Sequence, residues 1–177
     1  MKALQTIQKT FRIFQTLTKI AMIFSFVWAG LSALGLFYSI ACYFGGTVVG
    51  INGALLYTLT EAGGLAEMIG VLLADTILAL TDGILFVSAL HYFKEEQEDG
   101  TPFTKQGAMQ IKNLGIRIIV LPLVAAILVG VIYAIFGLTH NIGSDWSNFT
   151  SVTVGIILIL ASIVFRYGAE LEDNLLY

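Results

Sequence analysis

Two aspartates, Asp75 and Asp82, stand in a stretch (about 69–93) that is otherwise almost wholly apolar. They are seven residues apart, which is two helical turns, so they share one face to within about 20°. An ionised Asp at the centre of a bilayer costs about 2.5–3.5 kcal/mol on insertion scales. Such a pair is expected to face the interior of a bundle or a wet cavity. The acids could line a proton or cation path. They could equally accept hydrogen bonds from hydroxyls on neighbouring helices, with Ser25, Ser32, Ser39, Thr153 and Ser162 as candidates. His91 lies nine residues from Asp82, on the opposite side of a helix, and reads as an interfacial residue.

A second concentration of chemistry follows directly. Glu95, Glu96, Glu98 and Asp99 form an acidic run that ends at Gly100. Pro102 biases Thr101 to extended backbone, and Thr104 is placed to cap a following helix. Phe103 reads as an anchor at the membrane interface. Three further acids, Glu170, Glu172 and Asp173, stand near the C-terminus. Acidic segments on one side of a membrane would suit a partner with a basic surface, as DNA-binding domains commonly present. Catalytic constellations are missing from the sequence: it has no GxSxG, no phosphate loop and no cysteine cluster, and its two histidines, His91 and His140, are far apart. No enzyme activity, metal or cofactor is expected. The single cysteine, Cys42, reads as a small apolar residue.

Composition sets the frame that must position these groups. The chain has 177 residues, of which 57% are hydrophobic and 12% charged. Soluble domains run near 45–50% apolar and about 25% charged, and a chain this short has too little interior to hide the excess. A membrane protein is expected. Four stretches, at about 20–44, 69–93, 116–138 and 149–167, meet or approach the ~20 apolar residues needed to cross the hydrocarbon. None shows the polar face of a soluble amphipathic helix. The formal net charge of −3 argues against direct nucleic-acid binding.

Topology follows from the basic residues. Lys2, Lys9, Arg12 and Lys19 precede the first stretch; Lys94, Lys105 and Lys112 lie between the second and third, with Arg117 at the start of the third; Arg166 closes the fourth. The segments 45–68 and 139–151 contain no Lys or Arg. By the positive-inside rule both termini and the central segment 94–115 are cytoplasmic. Residues 3–19 read as a basic amphipathic segment, either a separate helix in the inner interface or a continuation of the first span. In the third stretch Ala126, Gly130 and Ala134 repeat every four residues, a small-residue stripe for close packing within the bundle or against a second copy. Pro122 is expected to kink that helix modestly. The expected fold is all-α: a single integral membrane four-helix bundle over 1–177, with both termini cytoplasmic.

Three segments carry a family resemblance: Gly100-Thr101-Pro102-Phe103-Thr104, Leu114-Gly115, and Phe165-Arg166-Tyr167-Gly168-Ala169-Glu170-Leu171. In these and in its four-stretch layout the chain resembles a bacterial family of four-span membrane proteins of unknown function. Members are often encoded beside a small helix-turn-helix regulator. The resemblance implies the fold and such a regulator as partner, and no catalytic residue. The function expected from the residues and the resemblance together is non-enzymatic: a regulatory or scaffolding protein presenting its cytoplasmic loop and tail. The alternative is a small permeation component using Asp75 and Asp82.

Overall fold

The computed structural model describes residues 2–45, 64–99, 104–138 and 146–175. They form four helices: α1 (Lys2–Gly45), α2 (Leu65–Asp99), α3 (Lys105–Phe136) and α4 (Trp146–Leu175). Each is long and apolar enough to cross a membrane, over Arg12–Phe44, Leu65–Glu95, Lys105–Phe136 and Ser151–Leu171. At 1.5 Å per residue the 21 residues of the last just cover ~30 Å of hydrocarbon. The other three, at 31 to 33 residues, exceed it by roughly 15 Å or more. Large apolar side chains point outward on every helix; Phe24 is 70% exposed, Leu34 68%, Ile135 73% and Val164 64%. An outer surface of this kind suits lipid rather than water.

The elements extend further than the apolar stretches. Helix α1 runs unbroken through the basic N-terminal segment, so that segment and the first apolar stretch are one helix. Helix α2 continues through the acidic run to Asp99. Helix α3 begins at Lys105 and passes straight through Gly115. Thr104 caps α3: its backbone is extended (φ −106°, ψ 150°), and its Oγ accepts the Gly107 N–H at 2.8 Å. At the other end Gly137 adopts φ +67°, a conformation that favours glycine, and the N–H groups of Gly137 and Leu138 both reach Tyr133 O.

Helices pack on their chain neighbours, α1 on α2, α2 on α3 and α3 on α4. The contacts run antiparallel. Phe14 near the start of α1 stacks on Phe93 near the end of α2, and Phe26 meets Gly83. Gly70 at the start of α2 abuts Phe136 and Leu138 at the end of α3, while Arg117 bonds Ser88 at the opposite ends. The starts of α1 and α3 therefore share one end of the bundle with the ends of α2 and α4.

Small residues make the closest contacts. On α1 the buried positions are Ala29, Ser32, Gly35, Ser39 and Cys42, at spacings of three and four. Between α3 and α4 the backbones meet at Gly115 and Gly155; a Cβ added to either would lie 2.8 Å from the other's carbonyl oxygen. One heptad along both helices stand Ala108 and Ser162, both buried. Lipid tails are as apolar as leucine, so this kind of surface matching, rather than hydrophobic transfer, holds membrane helices together.

The Gly115–Gly155 crossing also staggers α4. From the crossing α3 runs on about 21 residues to Phe136, ~32 Å, while α4 runs only about nine in that direction, ~14 Å. Conversely, α4 overhangs the start of α3 by about ten residues, ~15 Å. The fourth apolar stretch thus stands beside the polar first turns of α3, and is not level with the other three.

Candidate functional site

The polar chemistry collects at the end of the bundle where α2 finishes and α3 begins. His91 Nε2 lies 2.7 Å from Glu95 Oε1, one turn along α2. The other oxygen, Oε2, accepts a hydrogen bond from Gln110 Nε2 of α3. Two turns before Glu95 on α2, Arg117 Nη1 donates to Ser88 Oγ at 3.0 Å. These bonds tie the last turns of α2 to the first turns of α3 around a cleft of about 240 Å³. The cleft lies between the antiparallel ends of two helices because the acidic run continues α2 instead of reversing the chain at residue 95.

Of the acidic docking candidates, Glu95 is half-buried and already engaged with His91 and Gln110. Glu170 is exposed and pairs with Arg166 on its own helix, Nε to Oε1 3.1 Å. The helix backbone carries Glu96, Glu98 and Asp99 at the end of α2 and Glu172 and Asp173 in the last turns of α4. Their side chains, like Phe103, lie outside the described residues. Antiparallel packing brings the ends of α2 and α4 to the same end of the bundle. The sequence pointed to the acids but not to their partners: Gln110 and Arg117 carry no motif, and Ser88 looks like any hydroxyl in a span.

The two aspartates differ in their surroundings. Met68, Leu72, Ala79 and Gly83 are buried along one face of α2, where Gly83 meets Phe26 of α1, and Gly70 meets α3. Asp75 and Asp82 run along the flank of that face: Asp75 is half-buried, near Tyr133 of α3, and Asp82 is exposed. They share a face that is half-covered at Asp75 and open at Asp82. Two of the candidate hydroxyls are used within their own helices, Ser39 Oγ on Gly35 O at 2.7 Å and Ser162 Oγ on Ile159 O at 2.6 Å. Thr76 and Thr81 of α2 likewise bond carbonyls one turn back, at 2.7 and 2.8 Å. A hydroxyl in a helix has the i−4 carbonyl always within reach.

The stripe Ala126, Gly130 and Ala134 is likewise not the seam of the bundle. Ala126 is half-buried, Gly130 and Ala134 are exposed, and a Cβ at Gly130 would meet nothing within 4 Å. The staggered α4 ends before it reaches them. Gly107, Ala108 and Gly115 take the packing role instead, in turns the sequence presents as a polar connector. Cys42 is buried in the seam between α1 and α2. Among the described residues, no three His, Cys, Asp or Glu side chains converge as a metal site.

Comparison with family models, with curated proteins and with solved structures finds no match for this chain.

Proposed function

We propose that the chain is a non-enzymatic inner-membrane protein that holds a polar platform at the cytoplasmic surface for a partner with a basic face. The convergence of His91, Glu95, Gln110 and Arg117 across the α2–α3 ends, at one end of an otherwise apolar bundle, carries this reading. The distribution of Lys and Arg supports N-in/C-in topology, with that end in the cytoplasm. Helix α2 extends six residues beyond Phe93, ~9 Å, which carries the acidic run past the end of the second apolar stretch. The family resemblance favours a small helix-turn-helix regulator as the partner. Captured through its basic face, such a regulator cannot occupy its operator.

The experiment is a pull-down from detergent extract with Glu96→Gln, Glu98→Gln and Asp99→Asn combined. The unaltered protein retains a DNA-binding partner that raised salt releases. The neutralised protein loses it. Retention of the same partner by both forms, or capture of none by either, removes the docking role. Epitope tags at both termini report from the cytoplasm; one tag on the outer face overturns the topology.

A second reading draws on the shared flank of Asp75 and Asp82, which could carry protons or cations through the membrane. Asn keeps the shape and the hydrogen-bonding handle of Asp but cannot ionise. Under this reading the double Asp→Asn variant abolishes pH-dependent flux in proteoliposomes. Absence of flux in the unaltered protein eliminates it.

A further inference from the structure

A second concavity opens between the first turns of α3 and the middle of α4, with a volume of about 770 Å³. Small-ligand sites span about 300–1,000 Å³. One wall carries Lys105, Met109 and Lys112, and the other Ile159, Ile163 and Arg166, each set at helical spacings of three and four. Among the described residues Glu170 adds one carboxylate to three cations, so their lining is positive by two. Arg166 meets that carboxylate through Nε, and a guanidinium retains four Nη protons for other acceptors. The N-terminal, positive end of α3 opens here. Helix α4 runs on nine residues past Arg166, ~13 Å, so its negative end lies elsewhere.

Both kinds of surface are present together. Met109 is 64% exposed and Ile163 60%, beside the cations. The stagger of α4 produces this mixture by setting its apolar residues level with the polar start of α3. A small soluble anion would need the cations alone. A lipid needs cations for its phosphate and an apolar wall leading into the hydrocarbon. The groove sits where a headgroup would be found: Lys112 is four residues, ~6 Å, from the start of the apolar stretch of α3.

We propose that the α3–α4 groove binds an anionic phospholipid, its phosphate held by Lys112 and Arg166 and its upper acyl chain lying along Met109 and Ile163. This site adjoins the α2–α3 cleft only at Asn113 and stands whether or not a protein partner docks there.

The test is native mass spectrometry of the full chain released from detergent micelles, with phosphatidylglycerol and phosphatidylcholine of identical acyl chains as probes. Phosphatidylglycerol is retained preferentially. Lys112→Gln with Arg166→Gln weakens that retention by about fivefold per cation removed, while Lys9→Gln with Arg12→Gln on α1 leaves it unchanged. Met109→Glu, at an exposed position flanked by two lysines, keeps all three cations and also abolishes the preference. Glycerophosphate, the same headgroup chemistry without chains, competes poorly. Equal retention of the two lipids overturns the proposal. So does an equal loss on changing the α1 cations, which would mark general surface attraction. Competition by glycerophosphate as strong as by the lipid would mark a site for free phosphate instead.

Discussion

The two outer helix pairs, α1–α2 and α3–α4, are both joined through small residues, yet they use them in opposite ways. Between α1 and α2 a line of small residues on α1 is buried, and the glycine contact of α2 is with a ring: a Cβ at Gly83 would meet Phe26 Cζ at 3.0 Å. Phe26 is 42% exposed, so its ring has room to move. Between α3 and α4 glycine meets glycine. A Cβ at Gly155 would lie 2.8 Å from Gly115 O and 2.4 Å from Ile119 Cγ1. Backbone cannot swing aside as a ring can. The same residue type is therefore a convenience in one pair and a requirement in the other, and the neighbour decides which.

Substitutions along these seams test that contrast. The largest effect is expected for Gly155→Ala. Overpacking against fixed atoms costs about 1–3 kcal/mol or more, and the gain in helix propensity over Gly offsets only about 0.5–1 of it. A net loss of about 2 kcal/mol should appear as a lower midpoint of thermal unfolding in detergent. An unchanged midpoint would mean that the α3–α4 crossing is looser than described. The next largest is Thr104→Ala, which removes the hydroxyl that accepts the Gly107 N–H and should cost about 1 kcal/mol. Circular dichroism on the same sample would show fraying at the start of α3, and no change would mean that the cap adds nothing to that seam.

Gly130→Ala reaches the other side of α3. With nothing within 4 Å of the new methyl, the propensity gain stands alone, and the midpoint should rise by an amount corresponding to about 0.5–1 kcal/mol. A fall in stability together with a loss of dimer on sizing would instead place a second copy on the Ala126, Gly130 and Ala134 stripe. Smallest is Gly83→Ala: displacement of the Phe26 ring and the propensity gain nearly cancel, leaving less than about 0.5 kcal/mol either way. A cost as large as that at Gly155 would erase the distinction between the pairs.

The sequence alone determined the four apolar helices, because 57% hydrophobic residues in 177 cannot be hidden from water by so short a chain. It also determined the Thr104 cap, a local matter of one hydroxyl and the N–H three residues on. It located the acids, since charge type needs no partner to be recognised. Which face of each helix would be covered was not legible. Apolar residues surround each span, so there is no amphipathic stripe to point inward, and lipid and neighbouring helix are equally acceptable to a leucine. Only the tertiary structure left Asp82 exposed and Gly130 bare. It also chose Gly115 and Gly155 over the more regular Ala126, Gly130 and Ala134 stripe. That choice slid α4 toward the start of α3 and set Ile163 beside Lys112. Register between two helices depends on backbone approach and the fit of surfaces distant in the chain, and no spacing within either helix records it.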